Sequence, residues 1–343
     1  MSFEIYPHDL STRYELSHAT SAIMTVYYND IGKLILVAPV NDYNIAAIKD
    51  GNMLYDTDRD VTFDLVNTKI DTSTNKITAN GYTTNWRLNW RCITQKLRVT
   101  NLETGVYTLV NQNLRSLPGV STAAAVGLTE RTDNIFYGGQ LLDEVLPFLS
   151  EAGLGNKMVW NPDALAHTFH VYKGRDLTHG IHAVVFSEEQ GTAQDLIIND
   201  DDSTLKNFAY VVGTLQDDTE FVETVGSVEA SERREIWMNT SIHQETDETE
   251  AECRARARAY ATMDLGKRIR RTSFSVTIDP EELGRLYALG DIVSCVSVRF
   301  GVSFNARIEG IKYTIDNKKA KTEAILGDPI LTALGELKLN ARN

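Results

Sequence analysis

Four groups of residues in this chain have the types and spacing that could do chemistry. His167-Thr168-Phe169-His170 and His179-Gly180-Ile181-His182 each set two imidazoles three residues apart, and zinc sites use paired histidines. In a strand, however, residues i and i+3 point to opposite faces, and no cysteine lies nearby. Both pairs are therefore expected to be surface or turn histidines. Asp56-Thr57-Asp58-Arg59-Asp60 resembles the start of a calcium loop. Its sixth position is Val61 where glycine is needed and its twelfth is Asn67 in place of glutamate, so an acidic hairpin tip is expected. Asp200-Asp201-Asp202 reads as a solvated loop between strands.

The basic group Arg254, Arg256, Arg258, Lys267, Arg268, Arg270 and Arg271 is the one candidate for phosphate contact. Its setting in an acid-then-base helix favours a solvated or interface helix. Gly301-Val302-Ser303-Phe304-Asn305 lacks the second glycine of a nucleophile elbow. Gly153-Leu154-Gly155 alone does not make a dinucleotide site, and no P-loop is present. No catalytic, cofactor-binding or metal-binding residue is assigned, and a non-enzymatic protein without cofactor is expected.

The elements that would hold these groups need more than one core. A chain of 343 residues has room for two or three domains. Its 42% hydrophobic and 24% charged residues are ordinary for a soluble globular protein. The apolar run Leu34 to Val40 is too short to span a bilayer, and the first residues show no signal-peptide pattern. Synthesis in a cytoplasm is the expectation. Cys92, Cys253 and Cys295 are an odd, scattered set, which argues against a disulfide framework and for buried small hydrophobes. A net charge of −13 disfavours a protein that grips phosphates. It would suit a wall along which DNA slides without sticking.

The first part reads as strands at Thr20–Tyr28, Lys33–Val37, Met53–Tyr55, Val61–Val66 and Lys76–Gly81. Short helices fit Asp42–Lys49, with Asp42 or Asn44 as cap and Gly51 as stop, and Thr83–Cys92. From Gly139, apolar residues recur at helical spacing through Ala152, with Pro147 expected to kink or break the run. A strand-rich stretch follows, from Met158 to Val225. A long helix then fits Thr246–Leu265, with Glu250–Arg254 and Glu252–Arg256 pairs and an Ala251, Ala255, Ala259 stripe suited to close packing. Strands return from Arg271 to Asp328, before a short amphipathic tail, Ile330 to Leu339.

The two ends echo each other. Lys49-Asp50-Gly51-Asn52-Met53-Leu54 resembles Ala288-Leu289-Gly290-Asp291-Ile292-Val293. Turn, strand, gap, strand, turn and strand then recur in the same order. Two related β-barrels, one at each end of the chain, are the expectation.

Several segments resemble the ReqiPepy-type siphovirus tail-protein family, the N-terminal module of tail-associated baseplate hubs. They are ITANGYTTNWRLNWRCI (77–93), GGQLLDEVLPFLSEAGLG (138–155), VYKGRDLT, VVFSEEQG, NFAYVVG, LGDIVSC and ARIEGIKY. The resemblance covers most of the chain and rests on order and coverage, not on a catalytic signature. It implies a mainly β fold with α (α+β): two related tube-type β-barrel domains plus inserted helix-and-strand domains. The expected division is 1-125 for the first barrel, 126-230 for the middle α/β hub part, and 231-343 for the long helix and second barrel.

The implied function is structural: a trimeric hub of the tail tip or baseplate in the virion, joining a sixfold tube to a threefold tip and forming part of the DNA conduit. Implied partners are two further copies of the chain, the tail tube, distal tail and tape measure proteins, and a tip, fibre or receptor-binding protein. DNA would pass without specific binding, and no stable membrane insertion is expected. Because the chain stops soon after the second barrel, receptor binding or wall cleavage is expected on another chain. The alternative is a tail protein that itself cleaves cell-wall carbohydrate or binds a receptor.

Overall fold

The computed structural model describes residues 3–16, 19–226, 228–268, 271–299, 301–316 and 319–327, without the side chains at 198–201, 267, 271–273 and 302. The tail Ile330 to Leu339 lies outside the described residues. The chain divides into two units: residues 198–273, and the remainder, which is discontinuous in sequence.

In the larger unit, β1 (Phe3–Tyr6), β2 (Tyr14–Leu16), β3 (Ser21–Tyr27), β4 (Lys33–Pro39), helix α1 (Asp42–Ala47), β5 (Met53–Asp56), β6 (Val61–Asp71) and β7 (Lys76–Thr83) come first. Every second residue of β4 and β7 is buried. The strands pair in the order β3-β4-β7-β6-β5-β1-β2. Leu34, Leu36, Phe63, Leu65, Ile77, Phe3 and Ile5 share one cluster, so the twisted sheet curls round a single core. The cap of α1 is Asn41, whose side chain accepts from Asn44 N, and not Asp42 or Asn44.

The short helix expected over Thr83–Cys92 is a 3-10 helix, Thr84–Trp90. Next come β8 (Cys92–Asn101), α2 (Leu102–Asn113), β9 (Val120–Thr122), β10 (Arg131–Gln140), α3 (Leu141–Glu151), β11 (Leu154–Asn161) and β12 (Ala166–Lys173). Their apolar faces form a second core around Val106, Leu109, Leu142, Val145, Leu149 and Phe169. Pro147 does not break α3. The lost bond is offset by Leu141, Leu142, Val145 and Leu149, all buried on one face. Cys92 is exposed, against expectation, while Cys253 and Cys295 are buried; it opens β8, whose pattern starts exposed.

A third core lies on the strands β13 (Val185–Ser187), β14 (Gln194–Asp201), β18 (Arg271–Thr277), β19 (Ile292–Ser297), β20 (Val302–Asp316) and β21 (Lys319–Leu326), the three intervening strands falling in the smaller unit. Asp200 and Asp201 thus end a strand instead of lying in a loop; Asp202 follows as an exposed residue. The order β14-β18-β21-β20, with β19 on β20, matches β3-β4-β7-β6-β5. The 15-residue β20 also pairs with β3, from Gly310↔Tyr27 to Asp316↔Ser21, and joins both halves into one sheet.

The sequence echo has the same hydrogen bonds in both copies. Gly51 N donates to Leu65 O and Leu65 N to Asn52 O, each at 2.8 Å; Gly290 N donates to Ile308 O and Ile308 N to Asp291 O, also at 2.8 Å. Both glycines need the left-handed region, at φ +85° and +96°. A bulge follows each turn partner, between Leu65 and Asn67 in β6 and between Ile308 and Gly310 in β20.

The smaller unit holds β15 (Phe208–Thr214), β16 (Glu220–Val225), β17 (Glu235–His243) and α4 (Glu250–Lys267). The sheet order is β16-β15-β17, with β15 and β17 parallel. Thr249 and Glu252 form a capping box at the start of α4. That commits Glu252, so Arg256 pairs with Glu248 at 2.7 Å and not with Glu252, while the expected Glu250–Arg254 pair forms at 2.8 Å. The expected alanine stripe faces outward. The buried stripe is Cys253, Ala257 and Ala261, each 0% exposed, against Ala209, Val211 and Phe221. The stripes differ by two positions, a little over half a helical turn. Among the described residues no helix is long and apolar enough to cross a membrane.

Small side chains let α4 lie close on its sheet. Ala257→Leu is expected to cost about 1–3 kcal/mol by overpacking. Ala255→Leu, on the outer face, is expected to stay within about 0.5 kcal/mol of the parent. Urea unfolding of the two variants checks this; equal losses would place the helix in the wrong rotation.

Candidate functional site: the Tyr28 joint and the adjoining cleft

The larger unit is knit together at Tyr28, which is fully buried just after β3. Its N donates to Glu309 O of β20 at 2.9 Å, and its O accepts from Asn156 N of β11 at 2.8 Å. The phenol oxygen accepts from Gly174 N at 3.0 Å. Its one proton is shared between the carbonyls of Gly153, at 2.9 Å, and Tyr172, at 3.2 Å. Arg307 lies over the ring, 5.2 Å from its centroid, and Tyr172 meets it edge-on at 5.1 Å. Gly155 and Gly290 press on the ring so closely that a Cβ at either would collide with it. Burial pushes the Tyr28 phenol up from its ordinary pKa.

One ion pair adjoins the joint, and a second lies on the 3-10 helix. Asp291, 2% exposed, accepts from Arg175 N at 2.7 Å and from its Nη2 at 2.6 Å, and also from Ala288 N at 2.9 Å. Asp64 accepts from Trp86 Nε1 at 2.7 Å and Arg87 Nε at 2.8 Å, tying the 3-10 helix to β6.

Beside the joint lies a cleft of about 650 Å³, a size usual for ligand pockets. Val26, Met158, Leu283, Leu289 and Ile311 supply an apolar wall. The exposed carboxylates Asp30, Asp58 and Asp60 and the amine of Lys157 stand at its edge. Buried polar groups line its depth: Thr62 and Thr84 share a hydrogen bond at 2.7 Å, and Asn85 Nδ2 donates to Asn156 Oδ1 at 2.8 Å. Asn156 Nδ2, also buried, has no partner, a deficit of about 1–3 kcal/mol.

The structure does not gather the sequence candidates into one site. His167 and His170 do fall on opposite faces of β12, but His167 is buried, 1% exposed, and is not the surface residue expected. Its Nδ1 lies 3.5 Å from Arg87 Nη1 and its Nε2 3.4 Å from Thr62 Oγ1. Arginine can only donate, so Nδ1 is the acceptor and Nε2 carries the proton. Burial first, and Arg87 second, lower the His167 pKa to about 3. Burial and Lys157 lower that of His170. His179 and His182 are exposed.

At the tip between β5 and β6, Asp56 is buried and pairs with Arg59 at 2.7 Å. Asp60 accepts from Tyr55 at 3.0 Å. Ser303 sits in the β19–β20 ladder opposite Val296. Arg254 and Arg258 both bond Glu223, Arg256 bonds Glu248, and Arg268 bonds Asp264. Arg270, and the side chains of Lys267 and Arg271, lie outside the described residues. Asp202 is paired with Arg234. Among the described residues no three His, Cys, Asp or Glu side chains converge as a metal site would need.

Sequence reasoning passed over Tyr28, Asp64 and Arg175. The available signal was Gly290-Asp291, already singled out by the echo, with Gly155 and Gly174 as further close-approach glycines.

A largely β chain with a curled sheet and few helices defines the class. Comparable architecture is found in a tail protein from Neisseria meningitidis MC58 (TM-score 0.53, 12% identity, 95% of this chain and 96% of that one). It is also found in the prophage tail protein gp18 from Listeria monocytogenes EGD-e (0.51, 13%, 100% and 99%) and the prophage MuSo2 43 kDa tail protein from Shewanella oneidensis (0.52, 12%, 95% and 97%). At these identities the likeness is one of fold. No curated protein sequence matches this chain. A family profile does, over residues 2–328: the chain belongs to the Siphovirus ReqiPepy6 Gp37-like protein family. It is a phage tail structural protein.

Tyr28→Phe is expected to cost about 1–3 kcal/mol, since Gly174 N–H loses its buried acceptor; denaturant unfolding measures it. His167 gives a pH test. Its pKa is depressed in the folded state, so the stability linked to neutral His167 is present above pH 6.5 and is lost as pH falls toward about 3. The slope in that window approaches about 1.4 kcal/mol per pH unit. His167→Gln is expected to flatten it, read as the difference between the two stability–pH curves.

Proposed function

We propose that this tail protein is the hub of the tail tip or baseplate, and that three copies close into a ring. The observation that carries this reading is the duplicated turn–strand–bulge unit, with Gly51, Asn52 and Leu65 in one copy and Gly290, Asp291 and Ile308 in the other. In this reading each curled half-sheet is a tube-type barrel. Three chains then present six similar barrels to a sixfold tube while remaining threefold toward the tip. Such a ring is heterologous, so its contact surfaces need not be self-complementary.

The division 1-125, 126-230 and 231-343 gives the order in which first barrel, middle part and second barrel are chiefly drawn. β13 and β14 are lent to the second sheet from the middle. The barrels line the DNA conduit, and net negative charge keeps DNA from sticking. The middle helices and strands and the 198–273 unit meet the tail tube, distal tail, tape measure and tip or fibre proteins. The protein acts by shape and interface, without catalysis.

Sedimentation of the pure chain, alone and with its tail tube protein, tests the assembly. A three-chain species is expected; a monomer under both conditions would remove the ring. Charge reversal of inward-facing acids is expected to slow genome ejection, and unchanged kinetics would remove the conduit role for that charge.

A further inference from the structure

The sheet of the smaller unit is covered on one face only. Ala209, Val211, Phe221 and Met238 pack in one cluster with Cys253, Ala257 and Ala261 of α4. By alternation Tyr210, Val212, Val222 and Trp237 turn the other way. Val222 is 46% and Trp237 58% exposed. β15 and β17 run parallel, and parallel pairs are ordinarily covered on both faces. The open face thus has the composition of a layer that packs against another.

Its aromatic pair is already fixed. Trp237 stacks on Tyr210 with ring centroids 5.7 Å apart, and Tyr210 meets Phe208 edge-on at 5.3 Å. Trp237 Nε1 donates to Asn239 Oδ1 at 2.8 Å, so what Trp237 leaves bare is the apolar ring. Ordered rings lose little freedom on docking. Tryptophan and tyrosine are also the residues that most often carry the energy of a protein contact.

Charge selects the occupant. Between Asp217 and Glu252 stand twelve acidic residues and two arginines, so this stretch carries most of the chain's net charge of −13. Two of the acids, Glu220 and Glu235, lie on the open face itself, opposite Thr214 and Phe208. Glu235 is 4.0 Å from Arg233. Glu220 is exposed and bonds no side chain among the described residues. Like charges oppose a contact of this face with its own copy across a twofold.

We propose that the open face docks a basic segment of a different tail protein. Apolar side chains of that segment cover Tyr210, Val222 and Trp237, and its cations meet the Glu220 edge. This rests on the reading that the 198–273 unit meets other tail proteins, and adds the surface and the partner's chemistry. It does not depend on the ring.

The test uses the full chain with Cys92→Ser. A maleimide is expected to label Val222→Cys in the free chain, and labelling is expected to be lost once the chain sits in intact tails. Loaded with a photo-reactive maleimide before assembly, the same position is expected to cross-link to a lysine- or arginine-bearing segment of a different tail protein. Trp237→Ser in that chain is expected to abolish the cross-link. Glu220→Lys is expected to lower its yield severalfold at low salt and little at high salt. Both side chains point away from α4, so an unchanged urea midpoint of the free chain shows that neither variant has simply misfolded. Labelling in tails as fast as in the free chain overturns the proposal, as does a cross-link to an acidic segment or to a second copy of this chain. If that particle still holds three chains, the ring stands. A chain that is protected at residue 222 in tails, yet sediments as a monomer with its tail tube protein, overturns the ring and leaves this contact.

Discussion

One buried phenol holds the larger unit together. The Tyr28 oxygen lies where the turn after β3, the entry to β11 and the exit from β12 converge, with Gly290 of the second half-sheet against its ring. Four backbone groups depend on this one residue for partners, counting its own N–H and C=O bonds to Glu309 and Asn156 with those to Gly174 and Gly153. Such groups are costly to bury unpaired. These bonds tie the inserted layer to both half-sheets, beside the β3–β20 ladder that joins the half-sheets directly. The glycines at 155 and 290 are the counterpart of that constraint, because only a missing Cβ lets backbone reach the ring.

The duplicated unit uses the same device for different work. Asn52 and Asp291 occupy equivalent turn positions and both bond the turn before them: Asn52 Nδ2 donates to Ala47 O at 2.8 Å, and Asp291 accepts from Ala288 N at 2.9 Å. Asp291 has spare acceptor capacity, which it spends on Arg175. In the same register Asp64 stands where Arg307 stands. The first binds the 3-10 helix and the second lies over Tyr28. The two units thus differ at these positions, while the turn and bulge that set the strands' course are the same in both.

Much of this was legible in the sequence where a single physical rule acted. β-Branched and aromatic runs between turn residues gave β3 to β7, helical spacing gave α3, and the Gly51/Gly290 echo marked two turns with the same hydrogen bonds. Legibility failed where rules competed. The segment Leu102–Asn113 carries threonine, valine, glycine and asparagine, poor helix formers, yet is helical because Val106, Leu109 and Val110 are buried and Gly105 fits against Val99. The small-residue stripe of α4 was seen at the wrong rotation, because alanine at every second position marks no single face. His167 looked like a surface residue because its burial depends on Thr62, Arg87 and Trp160, remote in sequence. The ion pairs at Asp64 and Asp291 join residues too far apart in the chain for any local pattern to reveal.

The central claim is that one chain supplies two equivalent barrels to a closed threefold ring. Rotational averaging of electron micrographs of the assembled particle tests it most directly. The account predicts three chains showing six similar lobes around a hole wide enough for duplex DNA. A three-chain particle with only three equivalent lobes, or one with no central hole, would contradict it.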